Sequence, residues 1–481
     1  MNRRIWFAAL LVATLLSSCM VGPRYSKPAV PAAPAYSEAP PASYGDPQAW
    51  KAAQPSDHAI RGRWWEIFGD PQLNSLEEQV GPVNETLRAA EANFRQSRAS
   101  IQFNRSNLYP TVSATAGITR NRISGTNPTG LPSYQYALFS FLPVDVSWEA
   151  DLWGRIRRTV TAARETTQEA AADLQNAKLE LETEVAVDYF EARSLDAEKR
   201  LLDDTVTAYA KALQLTQNRF NGGVASRVEV AQAQTQLQQT QAQDTDLGVA
   251  RADYEHAIAV LTGRVPEGFH LEYKPLGEAP PVIPTGVPSQ LLERRPDIAS
   301  AERRMAAANE QIGINRSAYY PTISLNAQAG FNAGSASNWF TWPSRVWAVG
   351  PQATETLFDA GRRRASVLGA EAAYDASVAN YRQTTLTAFQ EVEDNLSTLR
   401  ILEQEAATQR QATASARDSL QLSLNRYKGG LVTYLEVITA QSIALTNERT
   451  DVDLMRRRMD ASVQLIKALG GGWNASQLPN V

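Results

Sequence analysis

RFNGGVASRVEVAQAQ at 219–234 and RYKGGLVTYLEVITAQ at 426–441 are nearly the same line, written 207 residues apart with seven of sixteen positions identical. Each stretch has a Gly-Gly pair, a Ser or Thr, and a Glu three residues after it. Glycine permits the positive φ that stops a helix. A hydroxyl residue followed at that distance by Glu is the capping box that starts one. Both stretches therefore predict a helical hairpin tip. A second matched pair, NRSNLYPTVS (104–113) and NRSAYYPTIS (315–324), is offset by 211 with seven of ten identical. The chain is a tandem duplication of a unit of about two hundred residues. The expected division is 1–18, 19–62, a first repeat over 63–263, a Pro-rich linker over 264–290, a second repeat over 291–470, and a tail over 471–481.

Working outward, the residues before each tip form very long helices. From Arg155 to Asn221 there is no Gly or Pro. Leu174, Leu181, Val185, Ala192, Leu195, Leu202, Val206, Tyr209, Leu213 and Phe220 recur at coiled-coil spacing. The helix after the second tip repeats this with Leu435, Ile438, Leu445 and Val452. Such lengths require helices packed along one another rather than around a compact centre.

Between the helices the period changes to two. Val112, Ala114, Ala116 and Ile118 share one strand face. Tyr134, Tyr136, Leu138, Ser140, Leu142, Val144, Val146 and Trp148 alternate along another segment. Ile323, Leu325, Ala327, Ala329 and Phe331 alternate along a third, and a fourth strand is expected around Trp347–Leu357. These segments have the alternation of outer-membrane barrel strands. Tyr109, Tyr134, Trp148, Tyr320, Trp339, Phe340, Trp342 and Trp347 suit an interfacial girdle. Four strands cannot close a barrel in lipid, because edge groups would be left without partners. Three chains of four strands would supply twelve, within the range of outer-membrane barrels.

The N-terminus predicts export. Two Arg, an apolar run from Ile5 to Leu16 and small residues precede Cys19, the chain's one cysteine. The run is too short to span a bilayer. Leu16-Ser17-Ser18-Cys19 resembles a lipobox, which implies cleavage of 1–18 and lipid on Cys19. Met20 at the next position favours the outer membrane. Prolines at 23, 28, 31, 34, 40, 41, 47 and 55 predict an extended tether that drapes over the body. Formal charge is −4, so nothing points to nucleic acid. There is no nucleophile elbow, no HExxH and no phosphate loop. Glu149 and Asp151 lie close in sequence, but a lone acidic pair is more often a turn. No cofactor or metal is expected.

The lipobox, Trp64-Trp65 with FGDPQL (68–73), DLWGRIRR (151–158), RRPDIASAE (294–302), LFDAGRRR (357–364), both Gly-Gly tips and ALGGGW (468–473) occur in an order that resembles the outer-membrane efflux proteins of the TolC and OprM type. The lipoprotein branch, NodT-like and including OprM and CusC, is the nearer likeness. The resemblance implies a fold that is mainly α with membrane β. Three chains would form a twelve-stranded outer-membrane barrel on a periplasmic α-helical barrel, with a belt from residues around 265–290 and the chain ends. It implies a homotrimer anchored in Gram-negative outer-membrane lipid. The chain would be a passive duct for drugs, toxic compounds or metal ions. It would be docked by a periplasmic adaptor and fed by an inner-membrane pump, often of the proton-driven resistance-nodulation-division class. A protein-secretion duct and a structural coiled-coil lipoprotein are the alternatives. The likeness also makes Gly222, Gly223, Gly429 and Gly430 adaptor-docking tips, and Glu436 a gate residue with Glu229 as its repeat partner. Thr439 stands where members commonly have a second Asp. Crowded carboxylates at a constriction gather cations.

Two outcomes follow. If the resemblance carries an acidic ring to Glu436, Glu436→Gln would weaken cation preference in a planar bilayer, and an unchanged preference would refute the ring. Val at both Gly429 and Gly430 should stop export and leave the oligomer intact, as read by a transport assay beside native mass.

Overall fold

The structure is a computed structural model and describes residues 20–29, 35–44, 62–124, 126, 133–277, 279–284 and 291–481. The expected signal peptide, Cys19 and parts of the Pro-rich segments lie outside the described residues. In chain order the main elements are α1 (Pro71–Val83), α2 (Glu85–Ser106), β1 (Thr111–Ile123), β2 (Tyr134–Ala150), α3 (Arg155–Asn221) and α4 (Arg227–Leu261). The second copy supplies α5 (Pro296–Ser317), β3 (Thr322–Ala333), β4 (Arg345–Thr354), α6 (Arg362–Lys428) and α7 (Tyr434–Ala468). α3 and α6 have 67 residues each, about 100 Å of helix. α4 and α7 have 35 each. Val185, Ala192, Leu202 and Tyr209 of the predicted seam are buried. Among the described residues no helix is long and apolar enough to cross a membrane.

Each long helix is started by the same local device. Gly154 (φ 80°) precedes α3, and the Asp151 carboxylate accepts from the Ile156 and Arg157 backbone N–H groups at 3.0 and 2.9 Å. Gly361 (φ 87°) precedes α6, and Asp359 accepts from the Gly361 and Arg363 N–H groups at 3.0 and 3.1 Å. A carboxylate at a helix N-terminus satisfies otherwise orphaned donors and complements the dipole. Glu149 pairs with Arg155 at 2.7 Å. The acidic pair singled out in the sequence is therefore structural.

The strands form one antiparallel sheet in the order β1-β2-β3-β4, so β1 and β4 are open edges. All connections to helices leave from one end, and both hairpin loops lie at the other. Directly opposed residues share a face. Val112, Ile118, Phe139, Phe141, Leu325, Phe331, Trp347 and Val349 fall on one side by this rule. Ser113, Thr119, Ser140, Asp145, Asn326 and Gln328 fall on the other.

β2 departs from the expected alternation. Its register shifts between Phe141 and Val144, around Pro143, which has no N–H to give the ladder. Val144, Val146 and Trp148 stay on the apolar face. Tyr134, Tyr136, Leu138, Ser140 and Leu142 lie on the polar one, and Phe139 and Phe141 take the apolar positions instead. One bulge thus corrects the single continuous stripe expected from the sequence.

Along α3, away from the sheet, a buried core joins both repeats. Trp64, Trp65, Phe68, Leu73 and Val80 pack with Tyr189, Phe190, Ile258, Ile298, Val392 and Val463. The N-terminal segment lies along this body. Glu393 accepts from the Ser37 and Glu38 N–H groups at 2.7 and 2.9 Å, Glu403 accepts from those of Ala42 and Ser43 at 2.7 and 3.1 Å, and Glu38 pairs with Arg400 at 2.6 Å. An extended chain without its own ladder thereby finds partners for its donors. The linker is pinned similarly. Asp196, fully buried, accepts from Arg251 at 2.7 Å and from the Lys274 N–H at 2.9 Å.

Glu77 of α1 is an exception to this pairing. It is 2% exposed, and among the described residues neither carboxylate oxygen has a hydrogen-bond partner. Burial, reinforced by Glu182, pushes its pKa well above the usual carboxylate value. Glu182 itself is pushed up to about 7 by burial, against Lys178 and the Trp64 indole. A carboxyl whose folded pKa is raised costs stability above its unfolded pKa, and the cost vanishes below it. Glu77→Gln should therefore raise the melting temperature by several degrees near neutral pH, with the gain shrinking as pH falls toward the ordinary Glu value of 4.5. Thermal unfolding of detergent-solubilised protein across that range measures it, and a gain independent of pH would contradict the assignment.

Candidate functional site at the helical hairpin tips

The two tips lie farthest from the sheet, where α3 turns into α4 and α6 into α7. Both turns close alike. The Val224 N–H donates to the Arg219 carbonyl at 2.8 Å, and the Leu431 N–H to that of Arg426 at 3.0 Å. Gly223 and Gly430 have φ of 77° and 73°, the left-handed conformation that a side chain disfavours. Gly222 and Gly429, at −80° and −76°, are in ordinary conformations. Only the second glycine of each pair is conformationally required.

The starts of the returning helices differ. Ser226 Oγ accepts from the Glu229 N–H at 3.3 Å, as the capping spacing predicts. Thr433 makes no side-chain cap, and the Glu436 N–H donates to the Thr433 carbonyl at 3.3 Å instead. The two Glu carboxylates also take different partners. Glu436 is paired with Arg426 at 2.8 Å on the surface. Glu229 accepts from the Tyr427 hydroxyl at 3.3 Å.

That tyrosine is the centre of a contact between the two tips. Arg219, from the last turn of α3, donates to the Tyr427 carbonyl at 2.8 Å and to that of Lys428 at 3.3 Å. Its guanidinium lies over the Tyr427 ring, 4.6 Å from the centroid. The ring packs on Tyr434 at 5.3 Å, and both tyrosines are 1% exposed within a small core of Ala212, Ala233 and Val437. The cation adds two charge-assisted bonds and a ring contact at the exposed C-terminal end of α6, where its dipole is negative. Burial raises the pKa of both phenols, Tyr434 to about 12. Both therefore remain protonated at neutral pH.

Repeat symmetry makes this divergence visible. Arg219 and Arg426 are equivalent by the 207-residue offset, as are Phe220 and Tyr427, and Glu229 and Glu436. The first Arg crosses to the other hairpin, while the second stays on its own. Phe220 is exposed, whereas its counterpart Tyr427 is buried. Sequence reasoning missed Arg219, Tyr427 and Tyr434. The replacement of Phe by Tyr between otherwise matching tips was the available signal. The tips also carry exposed apolar side chains, Val224, Val228, Leu431 and Leu435. Within 219–229 and 426–436 there are four basic residues (Arg219, Arg227, Arg426, Lys428) and two acidic ones (Glu229, Glu436). Among the described residues, no group of three or more His, Cys, Asp or Glu is placed to hold a metal.

Comparison with known proteins agrees along nearly the full length. The family model described as outer membrane efflux protein matches residues 82–264 and 287–471. The probable efflux pump outer membrane protein TtgC of Pseudomonas putida is 31% identical over 473 residues, covering 96% of this chain and 94% of that one. The outer membrane protein OprJ of Pseudomonas aeruginosa is 31% identical over 476 residues, covering 97% and 96%. Among solved structures, the outer-membrane channel OprN superposes with a TM-score of 0.85 at 29% identity, covering 95% of this chain and all of that one. VceC of Vibrio cholerae gives 0.78 at 27% identity, covering 85% and 98%. With a family model that matches most of its length, this chain belongs to the outer membrane efflux protein family.

Proposed function

We propose that three copies of this chain form the outer-membrane duct of a tripartite efflux pump. The observation that carries this reading is the four-stranded sheet, apolar on one face and open at β1 and β4. In hydrocarbon, a backbone donor or acceptor without a partner costs several kcal/mol. The β1 edge of one copy and the β4 edge of the next satisfy each other, and three copies close a barrel of twelve strands. The apolar face then meets lipid and the polar face lines the lumen. The long helices continue the duct into the periplasm. It is a conduit without a catalytic step. In this reading the repeats over 63–263 and 291–470 each supply about one sixth of the wall, since three copies carry two repeats each. The described part of the linker, 264–277 and 279–284, and the tail at 471–481 would lie at its waist.

Lipid on Cys19 is part of the same reading. The residues just after it are held where the sheet meets the helices. The Val21 N–H donates to the Trp153 carbonyl at 3.1 Å, and a Cβ on Gly154 would stand 2.8 Å from the Met20 side chain. A thioether-linked lipid at residue 19 would there reach the inner leaflet of the outer membrane, with 1–18 removed.

At the far end, the exposed Val224, Val228, Leu431 and Leu435 around the Gly222-Gly223 and Gly429-Gly430 turns form the surface for a periplasmic adaptor. An inner-membrane pump of the resistance-nodulation-division class would supply the cargo. The solvent and antibiotic efflux named for the Pseudomonas putida relatives makes small toxic organic molecules the expected class.

The gate is the contact between the tips. Glu229 acts as a closing contact through Tyr427 of the other hairpin, while Glu436 holds Arg426 within its own hairpin. The excess of basic residues weighs against a cation-gathering acidic ring. Opening separates the α3–α4 hairpin from the α6–α7 hairpin as a shift between two packings. The charge-assisted bonds and ring contact of Arg219 hold the closed form by on the order of 2 kcal/mol per chain. Arg219→Ala should therefore raise single-channel conductance or open time by at least about tenfold, with the native mass of a trimer retained. A trimer with unchanged conductance would remove this contact from the gate, and a monomer would overturn the shared barrel.

A further inference from the structure

Charge on the lipid-facing side of the sheet is confined to one end. Arg120 pairs with Ala137 and Arg122 with Gln135, which places both on the side of Ile118; Arg345 pairs with Phe331 on that same side. All three lie toward the hairpin loops, away from the helices. Thr111–Ala150 and Thr322–Thr354 contain two acids, Asp145 and Glu149. Both face the lumen at the helical end, opposite Gln328 and Ser324. The loop segments 124–133 and 334–344 contain no charged residue.

The three guanidinium groups are exposed and bonded to neutral acceptors. Arg120 donates to Gln135 Oε1 at 3.2 Å, Arg122 to Ser133 Oγ at 3.4 Å, and Arg345 to the Trp342 carbonyl at 3.0 Å. None is paired with a carboxylate among the described residues. Arginine on the outside of a barrel costs about 2–4 kcal/mol at the bilayer midplane and close to zero at the interface.

Aromatic side chains mark the interface at this depth. The β3–β4 loop folds down over the apolar face. Trp339 stacks on Phe340 at 5.0 Å, Trp339 meets Phe139 at 5.2 Å, and Phe340 meets Phe141 and Phe331 at 5.7 Å each. Phe340 and Trp342 remain exposed, and the Arg345 guanidinium lies against the Trp342 ring. A belt of this kind sits at headgroup level. With the helices in the periplasm, that level is the outer leaflet, which in this membrane is built of phosphorylated glycolipid.

We propose that Arg120, Arg122 and Arg345, with the Trp342 ring, form a binding site for the phosphates of outer-leaflet glycolipid. This rests on the trimeric outer-membrane reading. In the closed barrel the β1 edge of one copy abuts the β4 edge of the next, so Arg345 of one joins Arg120 and Arg122 of its neighbour at each seam. Guanidinium forks bind phosphate bidentately, and a desolvated rim strengthens the pairing. The lipid would thus cross each seam and hold neighbouring copies together.

Native mass spectrometry of the delipidated full-length protein, titrated with bisphosphorylated lipid A, dephosphorylated lipid A and cardiolipin, tests this. The expected result is a trimer that takes up bisphosphorylated lipid A at least about tenfold more tightly than either other lipid. The preference should be lost in the triple variant Arg120→Gln, Arg122→Gln, Arg345→Gln. A trimer that binds bisphosphorylated and dephosphorylated lipid A equally overturns the site, as does one that binds cardiolipin as tightly. An unchanged preference in the variant also overturns it. A monomeric mass overturns the reading on which the site rests, and is distinguished in the same spectrum. The lipid comparison on the unaltered chain stands even if the triple variant does not fold.

Discussion

Backbone hydrogen bonding in a medium without water is the constraint on which this structure depends. A four-stranded sheet satisfies its interior ladders and leaves two edges. In water those edges would be an aggregation hazard, and in lipid they are prohibitive. In the proposed trimer, assembly converts them into ladders between copies. The duplicated helices then follow the geometry of the ring, because every strand hairpin must be continued by helices on the same side. A chain that folded around one compact centre could not do this.

Duplication supplies two similar hairpins, and they meet at their tips. The meeting point is where the copies diverge. Arg219 crosses from α3 to the carbonyls that end α6, and Tyr427 is buried beneath it. Its repeat equivalent, Arg426, pairs with Glu436 on its own hairpin. Both contacts are charge-assisted, but only the first joins two elements that can part. The surface pair contributes little by itself, as exposed ion pairs usually do.

The middle of the molecule is held differently. There the apolar core of both repeats is continuous, and buried charges are paired. Arg158 and Glu310 are joined at 2.7 Å, and Asp196 is held by Arg251. Such pairs roughly offset their own desolvation, so their value lies in fixing where the N-terminal segment and linker run. Arg158 also donates to the Pro23 carbonyl at 3.1 Å, which ties the N-terminal segment to the junction of sheet and helices. Glu77 has no such partner among the described residues, and that local cost is tolerated within a large apolar core.

Much of this was legible in residue order alone. The repeat, the helix limits at Arg155 and Asn221, the turns at the Gly-Gly pairs and the four strands all have local causes: glycine geometry, capping spacing and hydrophobic period. The apolar faces of β1 and β3 were also readable, because their alternation is unbroken. The face of β2 was not, because a bulge at Pro143 depends on the strands beside it. The tip contact was hidden as well. Which of two equivalent arginines crosses between hairpins depends on how helices 207 residues apart are brought together. The grouping of Arg120, Arg122 and Arg345 on one face likewise needed the strand register. Local sequence determined what each element is. Tertiary structure decided which faces and ends of those elements meet, because packing and register are properties of pairs of elements rather than of either one.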